Sequence, residues 1–390
     1  MKKIYMTILI AALAFNMRAQ QIDEMLKVIE ENNVQLQALR EENEATLLEA
    51  KSENSLENTS IEYSPFFRRD ADGVASSELV VKQGFDFPTL YASRNKSNRL
   101  RQKVLDLQYR TARREILLQA KVACQNLVYF NKVEELLQQR TANAQSLLAL
   151  YNKRVEKGDT TLIELNRIKM DCMNIEKEKA GVEAERNATL QTLASLNGNA
   201  PVTVDFKEYG ITEVEENEQE LVRRIMESDW LLLQNEAAAK AGAQQVRVTK
   251  QNWIPKLEVG YRRNTDMETG SNGFLVGASF PLFSNSKKVK IARAREATAR
   301  LELENSRIET EKRIHTLLYN ARKMRSVMDI YDIELMYSTL AMLQRAVEAG
   351  EISIIDYYRE ADSVYANLHS FLDVEKEYHN AMAELYKNQL

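Results

Sequence analysis

Two segments of the chain carry the same short pattern of glycine, hydroxyl and charge. Gly158-Asp159-Thr160-Thr161-Leu162-Ile163-Glu164-Leu165-Asn166-Arg167 reads glycine, acid, any residue, hydroxyl, two aliphatics, acid, two more, arginine. Gly350-Glu351-Ile352-Ser353-Ile354-Ile355-Asp356-Tyr357-Tyr358-Arg359 reads the same way. A glycine closes a helix in the left-handed conformation. Asp159, Thr160, Thr161 or Ser353 can then cap the next helix start, where free N–H groups point outward. The acid and arginine that follow, Glu164 with Arg167 and Asp356 with Arg359, lie three residues apart. That spacing allows a surface ion pair within one helix, worth a few tenths of a kcal/mol. It also allows a charged ring at the narrow end of a tube, which selects or gates.

Catalytic chemistry has little to work with. His315, His369 and His379 fall in helical segments and in no ligand spacing. No glycine-rich phosphate loop follows a strand, and no nucleophile motif is present. Met324, Met328, Met336 and Met342 could line a soft-metal path, but methionine on a helix usually serves packing. Cys124 and Cys172 stand in no metal or redox spacing and make no disulfide framework. The reading is a non-enzyme with no metal and no cofactor.

The elements that position the two patterns follow from the helix breakers. The 390 residues hold 12 glycines and 5 prolines, and 28% are charged. Such scarcity of breakers, with abundant Glu, Lys, Arg, Ala and Leu, means very long helices. No Gly or Pro lies between Pro88 and Gly158, nor between Pro281 and Gly350. Gly84 and Gly277 are 193 residues apart, as are Phe87 and Phe280, and Pro88 and Pro281. The chain is therefore duplicated with a period near 190 residues. The first repeat spans 20–198, an acidic linker 199–218, and the second repeat 219–390; the linker is expected to pack outside the main helices. Each repeat is expected to run as a modest helix (Ile22 to Lys51, Gln219 to Lys250), two strands, a very long helix (Arg94 to Val155, Lys287 to Val347), a break at glycine, and a second long helix. Ile116, Ala120, Ala123, Leu127, Phe130, Leu137, Ala144, Leu148 and Tyr151 form a 3-4 seam interrupted at Glu134 and Thr141. A seam of this kind suits a coiled coil or a tube wall. Each repeat is thus a helical hairpin whose tip lies about 90 Å or more from the strands, at roughly 1.5 Å per residue.

The strand segments alternate with period two. Ile61, Tyr63 and Phe67, then Leu79, Val81, Phe85 and Phe87, form the apolar set of the first repeat. Leu257, Val259 and Tyr261, then Phe274, Val276, Ala278 and Phe280, form that of the second, around a polar turn from Thr265 to Gly273. The pattern fits a soluble hairpin on a small core, or membrane strands with lipid on one face and a lumen on the other. In the second case four strands cannot close a barrel, and unpaired backbone in lipid costs several kcal/mol per group. Three copies supply twelve strands.

The N-terminus reads as a secretory signal, residues 1–19: Lys2 and Lys3, an apolar run from Ile4 to Phe15, and Ala19. Loss of Lys2, Lys3 and Arg18 moves the formal charge from -4 to -7. No basic patch suggests nucleic acid. No cysteine follows the cleavage point to carry a lipid, and no later apolar run is long enough for a membrane helix.

The duplicated order, the strand-end segments Phe274-Leu275-Val276-Gly277-Ala278-Ser279-Phe280-Pro281-Leu282-Phe283 and Trp253-Ile254-Pro255-Lys256-Leu257, and the tips Gly158 to Asn166 and Gly350 to Asp356 together resemble the TolC-like outer-membrane efflux proteins. The resemblance covers the mature chain. It implies a mainly α fold in which duplicated long-helix hairpins form an α-barrel, and two β-hairpins per chain contribute to a trimeric transmembrane β-barrel. It implies a homotrimer in outer-membrane lipid that serves as a passive exit duct for efflux or type I secretion. The tips, Gly158, Asp159, Thr160, Thr161, Gly350, Glu351, Ile352 and Ser353, would then meet a periplasmic adaptor and an inner-membrane pump of the RND, ABC or a similar class. Asp356, Arg359, Glu164 and Arg167 would form the periplasmic gate. In that family the second-copy tip carries acids that narrow the entrance, and Asp356 matches one of them, whereas Arg359 stands where a second acid is often found, so the gate is open to both readings, an acidic ring or an acid–base lattice. The rival class is a periplasmic coiled-coil adaptor or structural protein, which would normally carry one hairpin flanked by compact β domains.

Overall fold

The computed structural model describes residues 22–67, 73–205, 207–210, 215, 217–266, 269–280 and 285–390. The signal segment 1–19 and the strand-end residues Pro281, Leu282 and Phe283 lie outside them. The elements in order are α1 (22–32), α2 (Val34–Ser52), β1 (Ser60–Phe67), β2 (Val74–Phe85), α3 (Pro88–Lys157), α4 (Leu162–Leu196), α5 (Glu218–Ser228), α6 (Trp230–Gln251), β3 (Lys256–Asp266), β4 (Gly270–Ser279), α7 (Asn285–Met328), α8 (Ile333–Ala349) and α9 (Ile354–Leu385).

α3 runs unbroken for 70 residues, about 105 Å at roughly 1.5 Å per residue. Proline at its first position needs no N–H partner and has its φ preset. Three departures from the expected helices share one cause. The second long helix is interrupted between Met328 and Ile333, where Asp332 takes the N-cap and accepts from Leu335 N at 2.8 Å. The opening helix of each repeat is also cut in two. Asn33 accepts from Leu36 N at 2.9 Å, and Asp229 accepts from Leu231 and Leu232 N at 3.0 and 3.1 Å. Each break is made by an Asx side chain that satisfies free helix N–H groups, without Gly or Pro.

The chain forms two compact units, and neither follows the repeat boundaries. Among the described residues, one lies within 38–111 and 228–309, the other within 22–37, 112–227 and 310–390. Each unit therefore draws on both repeats.

The strand-bearing unit holds one antiparallel sheet in the order β1-β2-β3-β4. Pairing of β3 with β4 continues to Thr265↔Gly270, so the connecting turn is tighter than the nine residues the sequence suggested. The register places Ile61, Val81, Tyr261 and Phe274 side by side on one face. Tyr63 and Leu79 share that face toward the turn end, and Val259 with Val276, then Leu257 with Ala278, toward the helix end. Ile61 is 70% exposed, Phe274 94% and Val276 83%. The opposite face carries Glu62 paired with Lys82 at 3.0 Å and Glu78 paired with Arg262 at 2.8 Å. Within the same unit the helices are pinned by polar contacts to backbone and neighbours. Asn98 donates to Ala50 O at 2.8 Å, Asn235 to Ser306 Oγ at 2.6 Å, and Gln244 to Ser93 O at 3.2 Å.

The all-helical unit buries three apolar clusters. The first joins α1, α3 and the end of α4 through Ile29, Ala120, Leu127, Val133 and Leu193. Of the nine seam positions on α3, all but Leu148 are buried. The second cluster lies under the tips, and the third joins α5, α7 and α9. The linker packs into this unit. Val204 is fully buried, and its carbonyl accepts from Asn131 Nδ2 at 3.1 Å. Tyr209 lies flat on His379, with ring centroids 4.1 Å apart and planes 8° from parallel. Burial, with Lys132 and Arg325 adding, depresses the His379 imidazole from 6.5 to about 4.

A depressed imidazole favours the neutral ring. The unfolded chain takes up the proton first, so the linker contact is fully stable above pH 6.5, weakens as pH falls, and has lost this contribution below about 4. The protection factors of the amides in residues 202–205 and 207–210, each taken against the intrinsic exchange rate at the same pH, should fall between pH 7 and pH 4.5. His379→Phe, which stacks without titrating, should remove that loss of protection.

Candidate functional site

The two tips are built by the same backbone device. Gly158 has φ +77° and Gly350 φ +80°. In the first tip Gly158 N donates to Val155 O at 3.0 Å and Asp159 N to Arg154 O at 2.8 Å. In the second, Gly350 N donates to Val347 O at 3.2 Å and Glu351 N to Ala346 O at 2.9 Å. This paired pattern satisfies the last carbonyls of a helix and needs a residue free to adopt positive φ. Of the four candidate caps, Thr161 and Ser353 take the position. Thr161 Oγ1 accepts from Glu164 N at 3.3 Å, and Ser353 Oγ accepts from Asp356 N at 3.1 Å.

The first acid is thereby committed locally. Glu164 Oε2 accepts from Thr161 N at 3.1 Å and from the Thr160 hydroxyl, closing a capping box. Those hydrogen bonds, led by Thr160, hold its carboxyl below the ordinary glutamate range. Arg167 does not pair with Glu164, as its i+3 spacing suggested, because the capping box already holds that carboxylate. Arg167 reaches the second hairpin instead, meeting Asp362 at 3.3 Å and lying 5.1 Å over the Tyr358 ring. In the second tip Asp356 and Arg359 do meet, at 3.3 Å, and Arg359 also holds Glu360 at 3.0 Å. This pair is solvent-exposed on a single helix. Leu162 and Ile163 of the first tip and Ile355 of the second are also exposed.

Above the tips lies a charge cluster that the sequence patterns did not single out. Arg140 of α3 pairs with Asp171 of α4 at 2.7 Å, with Glu178 at 3.4 Å and with Asp362 of α9 at 3.5 Å. Its guanidinium sits 5.2 Å over the Tyr365 ring, whose hydroxyl accepts from Asn143 Nδ2 at 3.1 Å. Asp171 is buried, and burial raises the Asp362 carboxyl against the pull of Arg140 and Arg167. Arg140 and Arg167 together tie the first hairpin to the second. The duplication carried a signal for this: Glu164 and Asp356 are 192 apart, and Asp171 and Asp362 are 191 apart. Among the described residues no group of acids, histidines and cysteines could hold a metal ion, and no helix is long and apolar enough to cross a membrane.

The chain thus combines long-helix hairpins closed by capped glycine turns with a sheet that is apolar on one face and charged on the other. Residues 221–388 match the family model of the outer membrane efflux proteins. The fold is similar to the outer membrane protein VceC of Vibrio cholerae, with a TM-score of 0.75 and 15% identity, covering 95% of this chain and 97% of that one. It is similar to the CmeC outer membrane channel of Campylobacter jejuni, with a TM-score of 0.76 and 14% identity, covering 94% and 85%. The open MtrE outer membrane channel of Neisseria gonorrhoeae matches with a TM-score of 0.77 and 13% identity, covering 94% and 88%. No curated protein matches at the level of sequence. The family match covers the second half of the chain, and the likeness in fold covers 94–95% of it.

Removing one partner from a buried ion pair leaves an uncompensated charge and costs about 3–5 kcal/mol. Arg140→Ala should therefore lower the thermal midpoint of the helical unit strongly. Adding Asp171→Asn to it should restore part of the loss. Equal destabilisation by the single and the double variant, measured by circular dichroism melts, would show that Asp171 is not the charge left stranded.

Proposed function

We propose that three copies of this chain form a passive exit duct in the outer membrane, extending into the periplasm, where it receives cargo from an adaptor and an inner-membrane pump. The observation that carries this is the sheet. It has two edges, β1 and β4, each hydrogen-bonded on one side only among the described residues. Its exposed face is apolar along strands of 8 to 12 residues. In lipid such edges must be paired, and three sheets give twelve strands, an even number within the outer-membrane range. The organisation into repeats 20–198 and 219–390 around linker 199–218 supplies each chain with two hairpins for the wall of the duct.

In this reading Gly158 to Thr161 and Gly350 to Ser353 dock the adaptor. The gate comprises Glu164, Arg167, Asp356 and Arg359, and the cross-hairpin pair Arg167–Asp362 supports holding the two hairpins together at rest. Asp356 and Arg359 are exposed in the single chain, which leaves them available where three copies converge. A soluble coiled-coil adaptor would have no use for an exposed apolar sheet face.

Light scattering in detergent should give a trimer mass; a stable, channel-forming monomer would overturn the assembly. In planar bilayers, Arg167→Ala and Asp362→Asn should raise conductance together, and Asp356→Ala or Arg359→Ala should change conductance and ion selectivity. Wild-type conductance in all four places the constriction elsewhere. Gly158→Val and Gly350→Val force a branched residue into positive φ and should reduce efflux while the trimer persists.

A further inference from the structure

The charged face of the sheet has a ledger that does not close. From the helix end as far as Asn264 it carries three basic residues, and each has an acid. Lys82 holds Glu62 at 3.0 Å, Arg262 holds Glu78 at 2.8 Å, and Lys256 holds Glu57. Glu258 shares this face and has no ion-pair partner among the described residues. Its isolation is built into the register. The residue directly opposite on β2 is Gly84, and the residue directly opposite on β4 is Gly277. No cross-strand side chain stands at its own level to neutralise it.

The two glycines are the pair that the duplication places 193 residues apart, and each accommodates a glutamate. A Cβ on Gly84 would lie 2.5 Å from Glu57 Oε2, and one on Gly277 would lie 3.5 Å from Glu258 Oε2. The chain thus repeats one device, a carboxylate laid across a glycine, and cancels the charge in only one copy. Lys256 neutralises Glu57; Glu258 stays bare.

We propose that Glu258 is a selectivity residue of the barrel, giving the inner wall a ring of three carboxylates that favours cationic over anionic solutes. This rests on the trimeric-duct reading, which turns the apolar face to lipid and the charged face to the lumen. Rings of carboxylates select cations through their field alone. That field reaches about 10 Å at 0.1 M salt and about 3 Å at 1 M. The ring is separate from the tip residues, so its effect adds to theirs.

The test is the reversal potential of the full-length trimer in planar bilayers under a potassium chloride gradient. Near 0.1 M, Glu258→Gln should lower the potassium-to-chloride permeability ratio roughly twofold or more, and Glu258→Lys further. Glu258→Asp should retain the wild-type ratio, and the differences should shrink near about 1 M as screening shortens. Channels of unchanged reversal potential in Glu258→Gln and Glu258→Lys would overturn the role of Glu258 and leave the duct intact. Absence of channels from the wild-type protein would overturn the duct itself, and the ring with it.

Discussion

The constraint on which the rest depends is the backbone hydrogen bonding of a four-stranded sheet with two open edges. In water such edges are merely a liability. In hydrocarbon they are untenable, because no solvent can satisfy the unpaired N–H and C=O groups. In the proposed duct the apolar face running across all four strands, from Ile61 to Phe274, would meet hydrocarbon. Closure would then come from other copies, and trimerisation would be a condition for the sheet to exist in lipid rather than an association added to a finished fold.

The helices solve a different problem. A helix of 70 residues has far more surface than one partner can cover, so it buries a stripe against several neighbours in succession. On α3 this appears as the first cluster with α1 and α4 and then the cluster beneath the tips, shared with α8 and α9. Polar residues are admitted to the interior where they complete a partner's bonding. Asn131 serves the linker carbonyl of Val204, and Arg140 gathers acids from α4 and α9. The second arrangement costs desolvation, but it joins the two hairpins at a defined register, which apolar contacts alone do not specify.

Much of this was legible in the sequence, because repetition and glycine spacing report on backbone. The continuous α3, the positive-φ glycines at both tips, the apolar alternation of the strands and most of the α3 seam follow from residue type and period alone. The helix breaks at Asn33, Asp229 and Asp332 were not legible by the same means. A search for breakers weighs Gly and Pro, whereas these breaks are made by side chains that compete for helix N–H groups. The Glu164–Arg167 spacing misled for a related reason. An i+3 rule counts neighbours on one helix surface, and here the capping box had already claimed the carboxylate, leaving the arginine to a different helix.

The two halves of the chain consequently differ in a way that sequence periodicity cannot show. Their backbone devices are nearly interchangeable: a left-handed glycine, a hydroxyl cap, an Asx break near the start. Their electrostatics are not. The first tip spends its acid on its own cap and sends its arginine across to the second hairpin. The second tip uses its acid for the cap and for Arg359 together, on one exposed helix. In the sheet, one copy's glutamate is neutralised by Lys256 and the other's is not. Duplication fixes geometry because capping and strand register act on the main chain, which both copies must satisfy alike. Charge acts through long side chains whose partners lie on other elements, so equivalent positions are free to diverge. In the proposed duct, two such halves would share their frame and place discrimination in the differences between them.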